Sequence, residues 1–202
     1  MSASNEWEEA QKWERLWHGN CVNSLNEELK QIVYAKRMGL SFYNDIRTPY
    51  NIILQNASIL DIGGGAYSLL LKSSGFSEAM VVDPCKFPDW VYARYDAAGI
   101  KYIIQPAEGL KLDKCYDEVW LYNCLQHVID PAAVIKTARE HSTIIRVFEW
   151  LDVGITDGHL HNLTENKMNS WLGGFGKTEL LNESGCVGHG YYGIFMGSQY
   201  GK

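Results

Sequence analysis

The chain has 202 residues, 46% of them apolar and 21% charged, with a formal charge of −6. That is enough for one α/β domain with a full core, and the composition is ordinary for a globular protein. No stretch approaches the roughly 18 uninterrupted apolar residues of a membrane span, and no Lys/Arg run offers the basic face that a nucleic acid requires.

The N-terminus, MSASNEWEEAQKWERLW, is acidic and aromatic. It has no basic segment leading into an apolar one, so no signal peptide is expected and the cytoplasm is the expected location. Cysteines at 21, 85, 115, 124 and 186 form no CxxC pair, and reduced, mostly buried thiols are expected. Residues 5–17 read as a helix with tryptophans at 7, 13 and 17; the spacing puts Trp13 and Trp17 on one face, with Trp7 further around. Residues 24–38 read as a second helix, with Ser24 and Glu27 as a capping box and Gly39 after its end. Pro49 predicts a break.

From residue 57 the pattern alternates. Strands are expected at 57–62, 79–83, 101–104, 117–122 and 143–149, with helices at 66–74, 88–98 and 131–140. Short apolar runs separated by helix-length segments predict βαβ units and a parallel sheet covered on both faces. After residue 150 the chain reads as a loop, a short helix, a further helix over KTELLNESG, and a final pair of strands within 186–200. The fold expected is therefore α/β, a Rossmann-like doubly wound, mostly parallel sheet with a C-terminal antiparallel strand pair. Residues 1–50 are expected to form a helical cap on a single core at 51–202.

The stretch ILDIGGGAYSLLL, 59–71, delivers Asp61 and three glycines to the end of a strand. Ligands in open α/β sheets bind outside the carboxyl ends of the strands. Gly63 and Gly65 let the backbone turn tightly and approach a ligand, and N–H groups at the start of a following helix suit a polar or anionic group. Asp83 closes the next strand, 22 residues after Asp61, where an acid can accept from both hydroxyls of a ribose. A plain tight turn capped by Asp61 does not account for Asp83 at that spacing. Two features point to S-adenosylmethionine (SAM) over NAD. Asp61 suits a sulfonium and an ammonium and repels a pyrophosphate, and Ser68 stands where the third dinucleotide glycine belongs.

Taken together, ILDIGGG, VVDP and YDEVWLYNCLQHVIDPAAVI (116–135) resemble the first, second and fourth-strand motifs of class I SAM-dependent methyltransferases. The likeness is to the small-molecule branch that includes ubiquinone-biosynthesis-type enzymes, and it covers roughly 59–150. The segment GHLHNLTENKMNSWLG resembles the His-x-Leu-Thr element of methyltransferases that accompany glycan or surface-polysaccharide genes. The resemblance implies an enzyme that uses SAM. Tyr67 departs from the pattern, standing where another glycine is usual. Pro106 replaces an acid in the adenine segment, leaving the Ala107 backbone with Gln105 or Glu108 for adenine. Asn123 and Gln126 replace carboxylates that bind a metal in some relatives, so no metal is expected.

His127 is the candidate general base, or else a residue that ties down the loop before Asp130–Pro131. Asn123 is a candidate for contact with the methionine part of SAM or with substrate. His159 and His161, with Asp157 nearby, are candidates for substrate binding. Tyr34 and Arg37 on the second helix are candidates for the SAM carboxylate, beneath a lid formed by the N-terminal block. The function read from this is methyl transfer to an oxygen or nitrogen of a polar small molecule, such as a sugar or glycan-linked group. An NAD-linked oxidoreductase and a non-catalytic SAM-binding protein are the alternatives.

Overall fold

The computed structural model describes residues 3–18, 21–43 and 51–198; the break expected at Pro49 lies outside them. In chain order come α1 (Ala3–His18), α2 (Cys21–Arg37), β1 (Phe42–Tyr43), β2 (Asn51–Ile53), β3 (Ser58–Ile62), β4 (Ser73–Ser74), β5 (Glu78–Asp83), α3 (Asp89–Ala97) and β6 (Ile100–Ile104). Then follow β7 (Tyr116–Tyr122), α4 (Pro131–Glu140), β8 (Ser142–Leu151), α5 (Glu165–Leu172), β9 (Lys177–Glu183) and β10 (Cys186–Met196).

Seven strands form one sheet in the order β6-β5-β3-β7-β8-β10-β9. Strands β3, β5, β6, β7 and β8 run parallel, and β10 is antiparallel to both β8 and β9. The central strands β3 and β5 are buried along nearly their whole length, as continuous apolar runs between two helical layers must be. On one face Val33, Tyr34 and Ala35 of α2 pack with Val91 and Tyr95 of α3. On the other, Val134, Ile135 and Ala138 of α4 pack with Met168 and Leu172 of α5. This is the doubly wound Rossmann-like architecture expected, and it gathers the carboxyl ends of β3, β5 and β7 along one edge. Strands β1, β2 and β4, none of them expected, form a separate three-stranded sheet.

The second helix begins at Cys21, so Ser24 lies inside it and not at its start; its hydroxyl meets the Tyr67 hydroxyl at 2.5 Å. This helix is also no detachable cap. Val33, Tyr34 and Ala35, with Met38 just past the helix end, belong to the main core, whereas among the described residues none of α1 belongs to either core cluster. The helix expected over 66–74 shrinks to a single 3-10 turn, Leu69–Lys72. The amides that would start it are claimed by side chains: Ser68 N donates to Tyr95 OH and Leu69 N to Tyr122 OH, each at 3.0 Å.

The segment KTELLNE, expected as a helix, is edge strand β9, and the residues expected to hold two strands form one, β10. Local helix propensity loses to pairing with β10 along all seven residues of the strand, and Leu181 is the one buried side chain of β9. The antiparallel pair is therefore β9–β10, joined through Ser184 and Gly185 at φ 48° and 77°, the signature of a type I′ hairpin turn. A Cβ on Gly185 would sit 2.5 Å from Asn26 Oδ1. Gly185→Ala is expected to cost about 1–2 kcal/mol through the left-handed backbone alone, read as a lower urea midpoint; an unchanged midpoint would refute this turn.

Candidate active site

The loop after β3 is shaped from below. Asp61 has no exposed surface, and its Oδ2 accepts from Ser68 Oγ at 2.5 Å and from Tyr122 OH at 2.6 Å. Its Oδ1 has no hydrogen-bond partner. Burial pushes the Asp61 carboxyl up to about 7, against the pull of those two hydrogen bonds. Alternation along β3 turns Asp61 toward the same core as Ile59, so it lies behind the glycine loop and outside the cavity wall. The expectation that it sits beside a ligand is corrected: it holds the loop. Gly63, at φ 77°, has no room for a Cβ against the Cys124 side chain, and a Cβ on Gly64 would lie 2.6 Å from Asp61 Oδ2.

Over this loop, at the carboxyl ends of β3, β5 and β7, a cavity opens. Gly63 and Gly65 line it. Asp83, at the tip of β5, lines it too, with Oδ2 accepting from Gly65 N at 3.0 Å and Oδ1 from Cys85 N at 2.8 Å. Pro106 and Ala107 form a further wall with Glu108, whose Oε1 accepts from Ile129 N at 2.7 Å and Asp130 N at 3.2 Å; Gln105 is not in that wall. Four carboxylates, Glu14, Glu27, Asp83 and Glu108, line the cavity, and among the described residues no Lys or Arg does.

The remaining wall comes from the N-terminal helices, in two stripes that sequence reasoning missed except for Tyr34. Trp7, Gln11 and Glu14 come from α1, and Glu27, Gln31 and Tyr34 from α2. Both triplets are spaced i, i+4, i+7, the period of one helix face. The signal in the sequence was only a polar residue repeated at that spacing; the structure shows Gln11, Glu27 and Gln31 each under 9% exposed. Tyr34 stacks on Phe148 at 4.2 Å between ring centres and accepts from Trp150 Nε1 at 3.2 Å. Arg37 does not reach the cavity. From the end of α2 it donates to Glu179 at 3.0 and 3.1 Å and to Glu183 at 2.7 Å, because two carboxylates on β9 match its fork.

A second cleft adjoins the first and shares Glu14, Glu27, Asn123 and His127 with it. Its own walls include Trp13, Trp17, Trp150, Gln126, Asp157 and His159. Asn123 ends β7 at φ 51°, a left-handed conformation that Asn tolerates and that turns the chain toward the junction. His127 sits at that junction. Its Nδ1–H donates to Gly158 O at 2.6 Å, and its Nε2 then accepts from Gln126 Nε2 at 3.2 Å. The same Gln126 amide donates to Asn123 Oδ1 at 3.1 Å. His159 packs edge-on to His127 at 4.9 Å, and burial, then His127, pulls its pKa below the usual histidine value. His161 lines neither cavity; it donates from Nε2 to Val128 O at 2.8 Å and Ile129 O at 3.1 Å. It braces the loop after His127, and its placement as a substrate contact is corrected.

No protein-family model matches this chain, and no curated protein does. Solved structures do resemble it. The chain superposes on a methyltransferase of 1,6-didemethyltoxoflavin from Burkholderia thailandensis with bound S-adenosylhomocysteine at a TM-score of 0.62, 13% identity, covering 94% of this chain and 87% of that one. Magnesium protoporphyrin IX methyltransferase from Synechocystis PCC 6803 with bound SAM follows at 0.59, 12% identity, 92% and 97%. The N-methyltransferase NodS from Bradyrhizobium japonicum, with S-adenosylhomocysteine, follows at 0.58, 11% identity, 85% and 88%. At these identities the likeness establishes the fold: that of class I SAM-dependent methyltransferases.

Glu149 is a second buried carboxyl that sequence reasoning passed over. Fully buried at the end of β8, it accepts from Cys124 N at 3.0 Å and Leu125 N at 3.1 Å through Oε1, and burial pushes it up to about 7. A lone acid in the apolar run VFEWL was its signal. An acid held higher in the folded than in the unfolded chain keeps its proton longer when folded. Its contribution to stability is thus fully present below the usual carboxylate range and is lost as pH rises toward about 7. Urea unfolding should show Glu149→Gln gaining on the wild type between about pH 4.5 and pH 7.5; a difference independent of pH would contradict the burial argument.

Proposed function

We propose that this chain transfers a methyl group from SAM to an oxygen or nitrogen of a polar small molecule, such as a sugar or glycan-linked group, as a cytoplasmic enzyme of the small-molecule, ubiquinone-biosynthesis-like branch. The observation that carries the reading is the charge of the cavity: four carboxylates and, among the described residues, no Lys or Arg, at the carboxyl ends of β3, β5 and β7. SAM brings a sulfonium and an α-ammonium with no phosphate, and supplies a methyl group already activated for displacement. A pyrophosphate would meet those carboxylates at close range. It would also find no α-helix N-terminus after the glycine loop, since Tyr95, Tyr122 and Ser68 occupy the amides of Ser68, Leu69 and Leu70. That argues against the NAD reading.

In this proposal Asp83 accepts from the ribose hydroxyls, and the Ala107 backbone beside Pro106 and Glu108 meets the adenine. Gly63 and Gly65 allow close approach of the backbone. Tyr34 and Asn123 face the methionine end. Phe87, which also lines the cavity, offers an apolar surface to the base. His127 stands where the two cavities meet. Anchoring Nδ1 on Gly158 leaves Nε2 as its proton-accepting atom, and the Gln126 amide must turn aside for it to accept from a substrate hydroxyl. With Gln126 in place, His127 instead positions the loop and orients Asn123.

Residues Trp7, Gln11 and Glu14 make α1 a lid over the cofactor cavity in this reading. Removal of residues 1–20 is expected to leave the thermal unfolding cooperative, as among the described residues none of α1 belongs to either core cluster, while weakening S-adenosylhomocysteine binding at least tenfold by calorimetry. Asp83→Ala should weaken it by a similar factor. Binding of NAD without binding of SAM or S-adenosylhomocysteine would overturn the proposal. Tight SAM binding with no turnover on any acceptor of a broad panel would point to a non-catalytic binding protein.

A further inference from the structure

We propose that the cleft beside the cofactor cavity takes a cationic amine, so that the methyl acceptor is an ammonium nitrogen and not a neutral hydroxyl. The inference rests on the methyltransferase reading and narrows its acceptor. Charge is the first argument. Among the described residues Glu14, Glu27 and Asp157 line the cleft against one cation, Lys30, whose Nζ lies 2.8 Å from Glu27 Oε1. Burial and the neighbouring His127 keep His159 from adding positive charge. An anionic acceptor would be repelled here, and a cation drawn in.

The indoles are the second argument. Trp13 and Trp17, one turn apart on α1, are 54% and 46% exposed, and Trp150 closes the cleft from β8. Exposed indole faces beside carboxylates attract ammonium groups through their quadrupole. Unsatisfied acceptors are the third. Gln126 is only 2% exposed and lines the cleft, yet its Oε1 has no hydrogen-bond partner. His159 Nδ1 is likewise buried and without a partner, and with the ring proton on Nε2 it is an acceptor. Buried acceptors without donors call for a donor. An ammonium offers up to three N–H donors and no acceptor, whereas a hydroxyl offers one donor and brings two lone pairs of its own.

The chemistry closes on the same groups. An ammonium has no lone pair, so one proton must leave before attack, and in this proposal the unpartnered Nδ1 of the neutral His159 ring, which lines the cleft, takes it. The freed nitrogen pair forms the N–C bond to the methyl carbon as the C–S bond breaks, and the sulfur keeps that bond's electrons. The product is an N-methylammonium and neutral S-adenosylhomocysteine, with the proton passed from His159 to water.

The test uses the full chain saturated with S-adenosylhomocysteine, whose binding is measured first. Phenethylamine against phenethyl alcohol, and glucosamine against glucose, are then titrated by tryptophan fluorescence and calorimetry. At least one amine is expected to bind tenfold tighter than its hydroxyl counterpart and to yield S-adenosylhomocysteine when SAM replaces it. Asp157→Asn and Trp13→Leu, both at exposed positions, should weaken that amine at least fivefold and leave S-adenosylhomocysteine affinity within twofold. Glucose or phenethyl alcohol binding as tightly as its amine, or no probe binding at all to the loaded protein, would overturn the amine assignment alone. Failure of S-adenosylhomocysteine to bind would remove the methyltransferase reading beneath it.

Discussion

The buried carboxyl group of Asp61 organises the loop on which the rest of the site is built. Its Oδ2 takes the hydroxyl protons of Ser68 and Tyr122, and those same two hydroxyl oxygens accept the amides of Leu70 and Leu69. One group on β3 thereby fixes the chain that follows it through a residue of β7. Tyr95 of α3 adds a third anchor by donating to Gly65 O at 2.7 Å. Burying a carboxyl is costly unless hydrogen bonds compensate, and the cost is visible in its raised pKa. Glu149 plays the corresponding part for the turn after β7, through the amides of Cys124 and Leu125. The candidate cofactor cavity lies between two loops that are each held from within by a carboxyl.

The two N-terminal helices divide the labour of enclosing this space. One face of α2 enters the main core through Val33, Tyr34 and Ala35, which makes the helix part of the domain. A polar stripe on the same helix, Glu27 and Gln31, faces the cavity. Helix α1 contributes to the walls, with Trp7, Gln11 and Glu14 toward the cofactor cavity and Trp13 and Trp17 toward the neighbouring cleft. Glu14 and Glu27 line both spaces. Their charge acts on whatever occupies either one, so a cationic cofactor and a cationic acceptor would share the same pair of carboxylates.

Much of the fold was readable because its central strands are buried on both faces and so are apolar throughout. ILDI, MVVD and VWLY each ended close to where the structure ends them, and the Asp130–Pro131 start of α4 was marked by a capping acid that accepts from Ala133 N at 3.1 Å. The edge of the sheet was not readable. KTELLNE has the propensity of a helix and only one side chain to bury, and β10 alone makes it a strand. The 66–74 segment failed for the opposite reason: three tyrosine and serine hydroxyls, two of them distant in sequence, outbid the helix for its first amides.

By itself the sequence determined the five parallel strands β3, β5, β6, β7 and β8 with helices α3 and α4, the acid at the tip of β5, the bare backbone after β3 and the His127 segment after β7, all of which follow from local pattern and short-range spacing. Only the tertiary structure decided which way side chains face. It turned Asp61 inward, sent Arg37 to Glu179 and Glu183 across 142 and 146 residues of chain, and set His161 to bracing a loop. It alone brought Glu14 and Glu27 from the N-terminal helices to Asp83 and Glu108. The physical reason is that orientation is settled by hydrogen bonds and packing between residues far apart in sequence, which no local period encodes.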